Sequence, residues 1–152
     1  MRMEKRSHED YMALALRQAE EAYRDGEVPV GCVVVCDGEV ISCAHNEVEK
    51  TSDPTRHAEI IALQNALKSR GKSLSDCAMY VTLEPCPMCA GAIINAKIGE
   101  LYYGVEEPKS GCCESLYNVV EDGRFNWKVT KSVNMHSDKC AEYMKKFFED
   151  RR

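Results

Sequence analysis

Apolar residues along this chain recur first at helical spacing, then at strand spacing, then alternately at both, and that alternation predicts most of its elements. Met12, Ala15, Leu16, Ala19, Ala22 and Tyr23 repeat with a period of about 3.6 residues, the mark of an amphipathic helix. Ser7 stands where a hydroxyl can cap it, Glu9 and Asp10 fall in its first turn, and Gly26 marks its end. Residues 28–36 are β-rich, Asp37-Gly38 is a hairpin signal, and 39–44 form the returning strand. Pro29 falls at the strand entry, where proline is tolerated. The polar stretch 45–55, with Asp53-Pro54, reads as a loop leading into a helix over 56–68.

A polar connection at 69–76 precedes a third strand over 78–83, which Glu84-Pro85 ends. A helix follows. With Cys86 near its cap, Pro87 takes the first helical position, where proline is favoured, and Cys89 lies one turn on. Residues 101–104 form a fourth strand, 115–121 a short helix and 128–133 a fifth strand. Behind a Ser137 cap, Cys140, Tyr143, Met144, Phe147 and Phe148 repeat at i, i+3, i+4, i+7 and i+8, predicting a final helix. This order implies one α/β domain over 1–152, with a sheet covered by helices on both faces. Strands three to five are separated by helices and so can run parallel, whereas the first pair is an antiparallel hairpin.

Composition narrows the setting. The 152 residues, 44% of them apolar, suffice for one core. No run approaches the roughly 18 to 20 apolar residues of a membrane span, and 1–10 are highly charged where a secretory signal would be apolar, so a cytoplasmic protein is expected. Nine cysteines, an odd number with two in metal-ligand spacing, predict reduced thiols rather than a disulfide framework, most of them acting as small buried hydrophobes. A net charge of −5 exerts no global pull on nucleic acid, so any RNA contact is local. Lys145, Lys146, Arg151 and Arg152 around Phe147 and Phe148 offer one such place, although a solvated helix end accounts for those charges equally well.

The chemistry is concentrated in His57-Ala58-Glu59 and Pro85-Cys86-Pro87-Met88-Cys89. Residues two apart on an established helix point about 200° away from each other, so His57 and Glu59 share a pocket only at a first turn. Cys86 and Cys89, at the other helix start, lie near free N–H groups and the positive end of the dipole, which favours thiolate. One imidazole and two thiolates leave a tetrahedral zinc with an open position for water. A closed four-cysteine site would need Cys112-Cys113, which are adjacent and lack ligand spacing, and a thioredoxin-like role leaves His57 and Glu59 without a part. Because two thiolates cancel the metal's charge, its water is acidified less than in an all-histidine site, and a base is useful. Glu59 can take the water's proton and pass it to a ring nitrogen and onward to a departing amine, which is hydrolytic deamination.

His-x-Glu followed by Pro-Cys-x-x-Cys is the signature of zinc nucleobase deaminases. Glu27-Val28-Pro29-Val30-Gly31, Asn46, Asp53-Pro54-Thr55-Arg56-His57-Ala58-Glu59-Ile60, Thr82-Leu83-Glu84-Pro85-Cys86-Pro87-Met88-Cys89-Ala90-Gly91-Ala92 and the ending Phe147-Phe148-Glu149-Asp150-Arg151-Arg152 resemble the bacterial tRNA-specific adenosine deaminases over nearly the whole chain. The resemblance implies the cytidine-deaminase-like fold, a three-layer α/β/α sandwich with a mixed five-stranded sheet, working as a homodimer on the wobble adenosine of a tRNA anticodon loop. It implies one zinc ion per subunit on His57, Cys86 and Cys89, a proton shuttle at Glu59, and a contact from Asn46 to the flipped nucleotide. Glu27, Val28 and Pro29 would line the pocket, and Glu107, Lys109, Ser110, Phe148 and Arg151 would border the RNA. A deaminase of free guanine or cytosine shares the zinc signature and is the main rival; a catalytically silent RNA-binding subunit is the other. The family's usual Asp-x-Lys-Thr-Gly, often followed by Ala-Ala-Gly-Ser, reads Glu107-Pro108-Lys109-Ser110-Gly111-Cys112-Cys113-Glu114-Ser115 here. Trp127 replaces a frequent histidine, and Asn134 a glycine.

Overall fold

A computed structural model describes residues 6–151; residues 1–5, with half of the charged N-terminal stretch, and Arg152 lie outside the described residues. In chain order the elements are α1 (His8–Arg24), β1 (Gly31–Cys36), β2 (Glu39–His45), α2 (Val48–Thr51), α3 (Ala58–Arg70), β3 (Cys77–Val81), α4 (Pro87–Ala96), β4 (Glu100–Tyr103), β5 (Lys131–Asn134) and α5 (Asp138–Asp150). Local chemistry explains their ends. The Ser7 hydroxyl accepts from the Asp10 N–H while the Asp10 carboxylate accepts from the Ser7 N–H, a reciprocal capping box, and Ser137 caps α5 through the Cys140 N–H. Asp37 and Gly38 both have positive φ, as the tight hairpin between β1 and β2 requires.

The sheet has the order β2-β1-β3-β4-β5, with β1 antiparallel to both neighbours and β3, β4 and β5 mutually parallel; α4 makes the crossover from β3 to β4, as expected, whereas β4 and β5 are joined by an irregular segment. Period-two alternation sorts its side chains between two cores. Cys32, Val34, Met79, Val81, Leu101 and Tyr103 face Ala58, Ile61, Ala62, Ala90 and Ile93 of α3 and α4. Val33, Val35, Tyr80 and Tyr102 face Tyr11, Met12 and Ala15 of α1 and Cys140 of α5. The three layers follow from that split.

Register decides where a site can form. Gly31 pairs with His45, Cys32 with Val81, Val81 with Tyr103 and Tyr103 with Asn134, so these residues form one border of the sheet. The segments 27–30, 46–57, 82–86 and 104–115 all leave from that border, and they carry both chemical motifs.

Three expectations are corrected. Residues 115–121 form no helix: the chain turns back on itself there, the Val119 N–H donating to the Cys112 carbonyl beside an isolated bridge between Cys113 and Asn118, and the N–H groups of 113–115 are held by the Glu84 carboxylate. The 45–55 loop contains the one-turn helix α2, whose N-terminal N–H groups are capped by Glu27, a residue 22 and 23 positions upstream of its two donors. The cysteines are not all reduced: Cys36 and Cys77, directly opposite in the antiparallel β1–β3 pair, form a disulfide, while seven others are free. Five of those seven are buried, as a role as small hydrophobes predicted.

Gly31 has a packing reason to be glycine, because an added Cβ would run into the Ala15 carbonyl and the Ala19 N–H of α1 where that helix crosses β1. Gly31→Ala should therefore lift α1 from the sheet and cost about 1–3 kcal/mol, read as a melting temperature lower by several degrees. An unchanged melting temperature would contradict so close a crossing.

Candidate active site

His57 is the N-cap of α3 and Cys86 the N-cap of α4, and neither helix start receives a side-chain bond from its own cap. Pro87 follows Cys86 at the first helical position, and Cys89 lies one turn further, fully buried. Asn46 fixes the other helix: its Oδ1 accepts from the Ala58 N–H at 2.7 Å, while its own N–H donates to the Val30 carbonyl. The loop after β2 is thereby locked to the start of α3, and His57 and Glu59 both fall in the first turn, the placement that helix geometry demands of a shared pocket.

The His57 Nδ1 stands 3.6 Å from Cys86 Sγ and 3.5 Å from Cys89 Sγ. One ring nitrogen carries at most one proton and cannot donate to two sulfurs at once. An ion at the bond lengths usual for tetrahedral zinc would hold its nitrogen and sulfur ligands about 3.6 Å apart. All three ligand atoms lie within 4.8 Å of one another, so the set can hold a metal ion. The Cys89 thiol donating to it and the His57 imidazole beside it hold Cys86 down at about 4. Cys89 is held up by that same hydrogen bond first and by burial second, so a cation entering the site displaces a proton shared between the sulfurs.

Glu59 lies beside this set, 4% exposed, and its Oε1 has no hydrogen-bond partner. Burial pushes its carboxyl up to about 7, against the opposing pull of its own backbone N–H and of His57. A buried carboxyl that exchanges its proton near neutrality, with an oxygen left free, is suited to general acid–base work.

The residues expected at the pocket and RNA border take several different positions. Glu27 is 1% exposed, and both its oxygens accept at 2.9 Å from the N–H groups of Glu49 and Lys50, so its carboxylate organises α2 rather than facing a ligand. Pro29 is buried and Val28 packs on the core at the border of the sheet. Glu107, Lys109 and Phe148 come together with Leu83, Val105 and Met144 around a groove of about 360 Å³ between the loop after β4 and α5. Ser110 lies in the same loop outside that lining. Arg151 is turned elsewhere: its guanidinium donates to the Gly26 carbonyl and lies 4.2 Å over the Phe147 ring. Phe147 is buried core, whereas Phe148 is 54% exposed at the groove.

Sequence reasoning gave Glu84 no part, although it is 2% exposed and accepts from the N–H groups of Glu107, Cys113, Glu114 and Ser115. Its partners lie 23 to 31 residues away, so only its place immediately before Pro85-Cys86 could have drawn notice.

Fold and site together define a deaminase of the cytidine-deaminase-like class. The family model described as MafB19-like deaminase matches residues 6–152. Within that class the chain belongs to the tRNA-specific adenosine deaminase family: it is 37% identical over 143 residues to the tRNA-specific adenosine deaminase of Bacillus subtilis (strain 168), a match spanning 93% of this chain and 89% of that protein. A structure solved in work on A-to-I editing by tRNA:A34 deaminases superposes with a TM-score of 0.82 at 38% identity, covering 88% of this chain and 97% of that one. A guanine deaminase structure from Bacillus subtilis is more distant, with a TM-score of 0.64 and 30% identity over 96% of this chain and 94% of that one. Among the described residues no helix is long and apolar enough to cross a membrane.

Removal of one sulfur should abolish the metal site. Cys86→Ala is expected to be purified without stoichiometric metal and to melt at a lower temperature that a chelator no longer changes. Full metal occupancy in that variant would remove Cys86 from the ligand set.

Proposed function

We propose that this chain converts the wobble adenosine of tRNA, the first anticodon position, to inosine by hydrolytic deamination. The observation that carries the chemistry is the unpartnered Oε1 of buried Glu59 beside three ligand atoms at tetrahedral spacing. A silent RNA-binding subunit would have no use for such a carboxylate, which is costly to bury unpaired. The substrate follows from the relatives: the adenosine deaminase structure is more similar in both sequence and superposition than the guanine deaminase.

His57, Cys86 and Cys89 hold one zinc ion in this proposal. Bound zinc supplies Lewis-acid activation of water. Glu59 takes a proton from the attacking water as addition occurs at the amino-bearing ring carbon and delivers it to the neighbouring ring nitrogen; it then takes the remaining proton of the added hydroxyl and passes it to the amine, so that the carbon–nitrogen bond breaks, ammonia leaves and the ring carbonyl forms. Asn46 contributes in two ways. With Oδ1 committed to the Ala58 N–H, its amide NH₂ is the side left to contact the flipped nucleotide, and the same bond keeps Glu59 in place. Val28 and Pro29 line the pocket by shape at the sheet border, and Glu27 supports it through α2.

The reacting carbon is reachable only when the base is extruded from a single-stranded loop, which the anticodon supplies. Leu83, Val105, Glu107, Lys109, Lys145 and Phe148 form the groove that would receive neighbouring nucleotides, with Ser110 at its side. Arg151 acts on this surface indirectly, by anchoring the end of α5 to the loop after α1. The working unit is proposed to be a cytoplasmic homodimer of single zinc-dependent domains. Leu116, Tyr117 and Phe125, each at least half exposed, give it apolar surface to cover.

Purified protein is expected to form inosine in an anticodon stem-loop that carries adenosine at the first anticodon position, detected by nucleoside chromatography. Turnover of free guanine or cytosine with an inert stem-loop would instead select the free-base rival. Glu59→Ala should keep its metal and its melting temperature yet lose turnover by about 10² or more, since proton transfer is what it removes. Unimpaired turnover would take Glu59 out of the mechanism.

A further inference from the structure

The loop that borders the groove is built around a side chain that belongs to the metal-bearing segment. Three consecutive backbone N–H groups, of Cys113, Glu114 and Ser115, converge on Glu84 Oε2 at 3.0, 2.8 and 2.9 Å. Such a run of N–H groups is an anion-binding nest, here filled by the chain's own carboxylate. Oε1 accepts from the Glu107 N–H at 2.9 Å and from the Ser115 hydroxyl. Gly111 closes the loop over the carboxylate so tightly that an added Cβ would collide with its carbon and oxygens. Backbone bonds complete the clamp, with the Glu84 N–H donating to the Val105 carbonyl and the Cys112 N–H to the Pro85 carbonyl.

Glu84 is also two residues before Cys86, the N-cap of α4. A single side chain therefore joins the helix that presents the two sulfur ligands to the loop that presents Glu107 and Lys109. We propose that Glu84 is a positioning residue that sets the 107–115 loop against the start of α4, and so governs how tightly the RNA is held rather than how fast the held adenosine reacts. The inference deepens the proposed function and, for its substrate, rests on it. Hydrogen bonds to an ionised acceptor are the strong kind, and five of them converge here, so the loop is fixed in the free protein and RNA binding need not order it.

Glu84→Gln tests this with little change of shape. Its amide offers one accepting oxygen in place of two. The least costly orientation keeps that oxygen in the nest and turns the NH₂ toward Ser115, whose hydroxyl can accept, leaving the Glu107 N–H without a partner. Faster hydrogen exchange at the Glu107 amide is expected, together with a KM for the anticodon stem-loop raised about tenfold, kcat within about threefold of the parent, and full zinc content. Gly111→Ala pushes on the same contact from the loop side and should give the same split, which decides the matter if Glu84→Gln does not fold. An unchanged KM in an active enzyme, a fall in kcat at unchanged KM, or loss of zinc would overturn the positioning role. If the parent protein makes no inosine, the substrate assignment fails, while hydrogen exchange still decides whether Glu84 sets the loop.

Discussion

The whole site depends on two helices beginning at the same border of the sheet. Neither α3 nor α4 has a side-chain cap from its own N-cap residue, because His57 and Cys86 occupy those positions. Their first-turn N–H groups and dipoles thus favour negative charge between them, where thiolates and a carboxylate are needed. The antiparallel turn from β1 to β2 and the antiparallel pairing of β1 with β3 bring both starts to one border, and neither helix alone could assemble the ligand set. Asn46 is the small residue on which this hangs, since its carbonyl oxygen supplies the α3 start with the bond that its N-cap does not.

Three glutamates are almost fully buried, and comparing them separates catalysis from support. Glu27 and Glu84 have both carboxylate oxygens saturated by N–H or hydroxyl donors, which compensates the cost of burying a charge. Glu84 shows the balance directly: burial raises its carboxyl, yet the Ser115 and backbone donors outweigh it and the net direction is downward. Glu59 has no such set, so burial wins and its carboxyl rises to about 7. All three side chains are closed off from solvent, and the donors around each carboxylate set Glu27 and Glu84 apart from Glu59.

That comparison also explains how far the sequence could be read. Helices and strands with strong periodicity, α1 and α5 above all, stand where the pattern placed them, because a buried stripe or alternation leaves a local trace. His57 and Glu59 could be set at a helix start from geometry alone, since two residues apart they have no other way to share a pocket. The Cys36–Cys77 bridge left no local trace, as its partners are 41 residues apart and meet only through strand pairing. Residues 115–121 form no helix: Tyr117, Asn118, Val119 and Val120 are weak helix formers, and the segment turns back on the 112–113 stretch, the Val119 N–H donating to the Cys112 carbonyl beside the Cys113–Asn118 bridge. Arg151, which the family resemblance places at the RNA border, donates to a backbone carbonyl 125 residues away, a contact with no local trace.

The departures from the family pattern around the loop prove to be connected to one another. Glu114 would add a free negative charge beside a surface proposed to meet RNA, and Asn134 would add bulk where glycine is usual. In the structure the Asn134 amide donates to Glu114 at 3.0 Å and to Glu106 at 2.9 Å, so the new amide holds the new acid. Glu107 is likewise engaged, its oxygen accepting from the Lys109 N–H while its own N–H binds Glu84. Trp127 serves the fold through a bond from its indole N–H to the Ile98 carbonyl. A chain with net charge −5 can border a polyanion if the acids nearest the groove are engaged by neutral donors, leaving Lys109 and Lys145 as the charges that face the groove without an acidic side chain bonded to either within it. Lys145 does approach Glu149 at 4.0 Å along the exposed face of α5, but an exposed pair at that distance is weak and yields readily to a phosphate.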